Sequence, residues 1–120
     1  MSFRRHPTKV LKIDGRETPL RVYEASSFLA RARGLLGSDR LQADEALWIR
    51  PCSSVHTIGM RYPIDVLFLD RQQRVVGLNE HLRPLRFAAN GRAHSTLELL
   101  AGTAATVGIR RGSQLEQVPA

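Results

Sequence analysis

The chain has little that would staple it or anchor it. Among its 120 residues there is one cysteine, Cys52. No intrachain disulfide can form, which fits a reducing compartment. Lysine is almost absent: Lys9 and Lys12 are the only two, and every other basic residue is arginine. No apolar run is long enough to span a bilayer. The opening stretch MSFRRHPTKVLKIDG carries positive charge with no apolar segment behind it, so it does not read as a secretory signal. A cytoplasmic setting is expected, with no membrane partner. There is also no internal repeat, linker or low-complexity segment.

Aromatic residues are few, at 6% of the chain. This bears on the net charge of +7, which by itself invites a nucleic-acid partner. The arginines are scattered from Arg4 to Arg111, without a lysine-rich run or interleaved aromatics. That lacks the clustered footprint of nucleic-acid recognition, so the charge reads as a soluble basic surface.

What is present is a globular content of apolar residues, 42% of the chain, and a length suited to one domain over residues 1–120. Residues 1–7 read as a loose lead-in. Val10, Leu11 and Ile13 begin a strand, and Asp14-Gly15 suits a tight hairpin turn into a return strand over 17–24. Ser26 or Ser27 can cap an amphipathic helix whose stripe is Phe28, Leu29, Ala32, Leu35 and Leu36, closed by Gly37. Arg31 and Arg33 flank that stripe.

Strands are expected at 46–50, 53–57 and 64–69. The last alternates Ile64, Val66 and Phe68 on one face with Asp65, Leu67 and Leu69 on the other. Both faces are apolar, so both are covered. Residues 74–78 return as a second hairpin, 82–85 is an extended connection, and 87–89 a short edge strand. A strand at 93–100, two helical turns at 101–107 closed by Gly108, and a last strand at 114–118 complete the reading. Strands outnumber helices, which predicts a mainly β (α+β) fold. It would be a small β-sandwich or barrel-like domain of about eight or nine short strands with one amphipathic helix packed across it.

Four separated blocks carry a family resemblance: Arg33-Gly34-Leu35-Leu36-Gly37, His56-Thr57-Ile58-Gly59-Met60-Arg61, Pro63-Ile64-Asp65-Val66-Leu67-Phe68-Leu69-Asp70, and Leu97-Glu98-Leu99-Leu100-Ala101-Gly102. In their order and spacing they resemble the family named domain of unknown function 192, over residues 22–117. The resemblance implies a compact β-rich fold and assigns no chemistry.

Candidate chemistry centres on residues 51–70. Cys52 and His56 form a sparse metal pair, with Asp65 as a possible third ligand; His6, His81 and His94 follow no ligand spacing. No metal or other cofactor is therefore expected. As nucleophile and base, Cys52, His56 and Asp65 have the residue types of a hydrolytic set. In an extended strand, however, Cys52 and His56 lie ~13 Å apart. Asp65 is the more informative residue, a carboxylate at the start of an apolar strand that must find partners. Arg33, Arg61 and His56 are the expected ones. Glu98 raises the same question, with Arg31 or Arg33 as expected partners.

The favoured reading is a non-enzymatic module that binds a small acidic molecule, a peptide or another protein. Met60, Tyr62 and Trp48 would line its pocket, and Arg33, His56, Arg61, Asp65 and Glu98 would supply polar contacts. The alternatives are a small hydrolase-like enzyme using Cys52, His56 and Asp65, and a basic nucleic-acid-binding domain.

Overall fold

The computed structural model of the chain describes residues 9–26 and 40–120. The helix expected over 26–36, with Arg31, Arg33 and Gly37, falls almost wholly outside the described residues. Nine strands are described: β1 (Lys9–Ile13), β2 (Arg16–Ala25), β3 (Glu45–Ile49), β4 (Ser54–His56), β5 (Ile64–Leu69), β6 (Val75–Leu82), β7 (Phe87–Ala89), β8 (Ser95–Leu100) and β9 (Leu115–Pro119). One short helix, α1 (Thr103–Val107), lies between β8 and β9. The β-rich expectation holds.

Seven strands form one mixed sheet in the order β6-β5-β8-β3-β2-β1-β9, and β4 pairs with β7 in a separate ribbon. Among the described strands only β2 and β3 run parallel; the other pairs are antiparallel. The two ends of the sheet order meet. Val75 N–H donates to Ser113 O at 2.9 Å, Gly112 N–H to Val75 O at 2.8 Å and Leu115 N–H to Gln73 O at 3.0 Å. Arg74 bridges Gln114 across the seam. The sheet thus curls into a barrel whose seam is zipped at one end of β6 and β9, which removes part of both exposed edges.

Strand alternation then sorts the apolar residues onto two faces. Leu11, Ile13, Leu20, Val22, Ala46, Trp48, Leu67, Leu69, Leu97 and Leu99 fill the barrel interior with Val75, Leu115 and Ala104. The alternate positions Tyr23, Ala25, Leu47, Ile49, Ile64, Val66 and Phe68 form a second cluster outside. Val55 of β4 and Ala88 of β7 lie over that outer cluster. This is why β3 and β5 are buried at every position.

Close packing of the outer layer is visible at Gly77. A Cβ built there would lie 2.5 Å from Asn90 Nδ2 and 3.2 Å from Phe68 Cδ2. Asn90 Nδ2 itself donates to Val76 O at 3.3 Å. Gly77→Ala is therefore expected to push the Asn90 amide off its acceptor and to destabilise the protein by about 1–3 kcal/mol. An unchanged urea midpoint would show that the outer layer yields freely.

Candidate functional site

Asp65 is the best-defined polar group near the start of the central strand. It is fully buried, on the barrel-facing side of β5 with Leu67 and Leu69. Its Oδ1 accepts from His81 N–H at 3.0 Å, and its Oδ2 accepts from Gly102 N–H at 3.0 Å and Ala104 N–H at 2.9 Å.

Each of these donors needs an acceptor for a local reason. His81 sits at φ 53 in β6. The pairing Ile64↔Leu82 followed by Val66↔Asn79 leaves one extra residue on β6, a bulge that frees an N–H. Gly102 and Ala104 open α1, where backbone N–H groups have no helical partner. Gly102 has φ 93 and α1 has no side-chain cap of its own. Asp65 caps the helix from a neighbouring strand and closes the bulge with the same carboxylate.

This differs from the expectation that Arg61 and His56 meet Asp65, while Arg33 lies outside the described residues. The partners of Asp65 are backbone N–H groups, because the strand start lies beneath α1 and against the β6 bulge. No arginine approaches it among the described residues. Three donors occupy most of what two carboxylate oxygens can accept. Asp65 thus pins the β6 bulge to the start of α1.

Several other candidates lie outside the barrel. Tyr62 is buried in the outer cluster. Its hydroxyl accepts from Leu41 N–H at 3.0 Å, and the Arg40 guanidinium lies 4.5 Å over its ring. Met60 packs half-buried against the same cluster, while Arg61 is exposed. His56 is half-buried on β4, opposite Phe87, with its Nδ1 buried and unpartnered among the described residues. Glu98 is buried on the outer face of β8, opposite Leu47 and Val66. Trp48, expected in a pocket, is instead inside the barrel. Arg33 lies outside the described residues.

Cys52, His56 and Asp65 are not brought together as a set. Cys52 packs against the outer cluster and its Sγ donates to Ser54 O at 3.1 Å. Asp65 faces the opposite side of the sheet. A triad needs its third member bonded to the base, and here that carboxylate is committed to backbone amides. Among the described residues, no group of three or more His, Cys, Asp or Glu side chains is placed to hold a metal ion.

Sequence reasoning missed a different feature. The exposed large hydrophobic residues among those described are Ile58, Leu85 and Phe87, at 51%, 70% and 69% exposure. All three belong to the β4–β7 ribbon or its connecting turns. Leu85 N–H donates to Thr57 O at 3.2 Å, next to Ile58, and Phe87 pairs with His56. Arg61, Arg83 and Arg86 are exposed beside them in the chain. Leu85 has φ 62, a left-handed conformation uncommon for a residue with a side chain. The available signal was the alternation Leu85, Phe87, Ala89 around the buried Ala88, which gives the ribbon an inner and an outer face.

Thr57 fixes this ribbon. It is fully buried. Its hydroxyl donates to Arg83 O at 2.6 Å and accepts from Arg86 N–H at 2.8 Å. Thr57→Val keeps the shape and removes both bonds. It is expected to cost about 1–3 kcal/mol, with amide exchange accelerating first at Arg86. Exchange rising uniformly across the barrel would contradict a local role.

With this geometry in hand, comparison with known proteins is decisive on one point. The family model for domain of unknown function 192 (DUF192), described as an uncharacterised ACR, matches residues 9–117. The chain belongs to the DUF192 family. Two solved structures share the DUF192 chain's fold. One is a protein of Sinorhizobium meliloti 1021 described provisionally as a transcription regulator, with TM-score 0.78 and 20% identity, covering 93% of this chain and 95% of that one. The other is a protein of unknown function from Novosphingobium aromaticivorans DSM 12444, with TM-score 0.73 and 20% identity, covering 97% and 96%. No curated protein sequence matches. At this identity the two structures speak for the fold alone. Among the described residues no helix is long and apolar enough to cross a membrane.

Proposed function

We propose that this DUF192 protein is a non-enzymatic binding module, working in the cytoplasm, whose contact surface is the β4–β7 ribbon. The observation that carries this reading is the gathering of Ile58, Leu85 and Phe87, exposed, on one ribbon, with the exposed Arg61, Arg83 and Arg86 near them in the chain. Exposed apolar groups gathered in one place mark interaction sites. Aromatic residues and arginine are the types enriched at the centres of such contacts, whereas lysine is depleted. The left-handed backbone at Leu85 adds weight, since strained conformations cluster at functional positions. In this reading Met60, Arg61 and His56 border the contact, and Tyr62 and Asp65 hold the scaffold behind it.

The double variant Leu85→Asn/Phe87→Ser separates binding from folding. Asparagine tolerates a positive φ better than leucine, and both side chains are exposed. Stability is expected to change by no more than about 0.5 kcal/mol. A photoreactive residue at position 58 should form a discrete adduct in cells that the double variant loses. Equal labelling from position 116, on the outer strand β9, would refute a dedicated surface.

A further inference from the structure

Among the described residues β7 pairs with β4 alone, which leaves the ribbon an open edge there as well as an apolar face. The bonds that flank the ribbon run from Thr57 N–H to Arg86 O at 2.9 Å and from Asn90 N–H to Ser53 O at 2.9 Å. In an antiparallel pair the inward-pointing groups alternate with outward-pointing ones. Residues 86, 88 and 90 therefore turn their backbone groups toward β4, and Phe87 and Ala89 turn theirs outward. Both residues are exposed. Natural proteins cover or disfavour such edges, because an unpaired edge is a template for another strand. Here the edge lies beside Leu85, and no proline or charge interrupts Phe87–Ala89.

We infer that the outer edge of β7 accepts an extended acidic peptide segment of another protein as a third strand. The inference rests on the ribbon being the contact surface and adds what the partner looks like. Backbone hydrogen bonds to Phe87 and Ala89 supply register, and alternate side chains of the peptide supply specificity. Apolar side chains on one face of the incoming strand pack on Phe87 and Leu85. Acidic side chains on it meet Arg83 and Arg86, whose planar guanidinium groups suit bidentate binding of carboxylates. A second copy of the chain is disfavoured, because it brings the same arginines and a net charge of +7. Residues 1–8 carry Arg4 and Arg5 and have the wrong sign for the same reason.

The test uses the full chain labelled with ¹⁵N and a blocked peptide, Val-Glu-Val-Asp-Phe-Glu-Val-Asp. Saturable sub-millimolar binding is expected, with slowed amide exchange at Phe87 and Ala89. N-methylation of alternate peptide amides leaves the side chains and removes the strand bonds. It should weaken binding about tenfold or more. Replacing the acidic residues of the peptide by lysine should abolish binding. Ala89→Pro removes an outward N–H without touching a bond to β4, and should weaken binding similarly while the spectrum stays folded.

No binding, binding indifferent to N-methylation at every register, or equal binding of the lysine peptide would each overturn the inference. So would self-association at the edge, or binding to anionic phosphatidylglycerol vesicles in place of the peptide. If position 58 still captures a partner in cells while the acidic peptide fails, the contact surface stands and strand addition falls.

Discussion

Asp65→Ala is expected to lower the unfolding free energy by about 3–5 kcal/mol, one of the two largest effects in the protein. The substitution leaves the N–H groups of His81, Gly102 and Ala104 without their acceptor, the last of them fully buried. Each buried unsatisfied donor costs about 1–3 kcal/mol, and a domain of this size has only about 5–15 kcal/mol of stability. Asp65→Asn tests the same site more gently. One end of the amide can accept, but its NH₂ must then face a backbone donor. A loss of about 2–3 kcal/mol is expected.

The readout is urea denaturation with residue-resolved hydrogen exchange. Faster exchange should appear first at His81, Gly102 and Ala104. If Asp65 were kept for a ligand, its removal would leave stability unchanged or raised, as is common for residues selected for function. That outcome would return Asp65 to the list of ligand contacts.

The second large effect concerns Trp48. It is fully buried inside the barrel among Leu and Val side chains, with Arg50 lying 5.0 Å over its ring. Trp48→Ala should cost about 3–5 kcal/mol, because the interior loses its largest side chain and the barrel cannot collapse to fill the space. Trp48→Phe should cost much less, about 1.5 kcal/mol or under. The indole Nε1 has no hydrogen-bond partner among the described residues, so phenylalanine removes an unsatisfied donor along with part of the volume. The comparison is made on thermal or urea midpoints. Equal losses for the two variants would mean that the indole N–H is satisfied in solution and that its bond contributes to the core.

Much of the barrel was legible in the sequence because its strands announce themselves by alternation and turn chemistry. Asp14-Gly15 predicted the first hairpin, and the Ile64–Leu69 alternation predicted a strand covered on both faces. Leu97 and Leu99 fall on the same face as expected. Gly108 closes α1 in the left-handed conformation as a C-terminal glycine does.

Two features could not be read. The first is the partners of Asp65, which come from His81, Gly102 and Ala104, far away in sequence. Backbone N–H groups are invisible in a sequence, whereas arginines are conspicuous, so the arginines drew the expectation. The length of β6 was lost for a related reason. Its bulge at His81 depends on the same carboxylate, and nothing local marks it as a strand position. The second is the exposure of Leu85 and Phe87. A sequence shows that a side chain is apolar but not that its ribbon turns it outward. Trp48 illustrates the converse, an aromatic side chain that suits a pocket by type but is sealed in the barrel.

The central claim is that the β4–β7 ribbon is the working surface and the barrel with its Asp65 pin is the frame. The measurement that tests it most directly is the yield of photo-adduct from position 58, compared between the parent chain and Leu85→Asn/Phe87→Ser, with urea midpoints taken on the same preparations. The account predicts that the adduct falls about tenfold or more, as loss of a contact centre implies, while the midpoint is unchanged. An undiminished adduct in the folded double variant would contradict it.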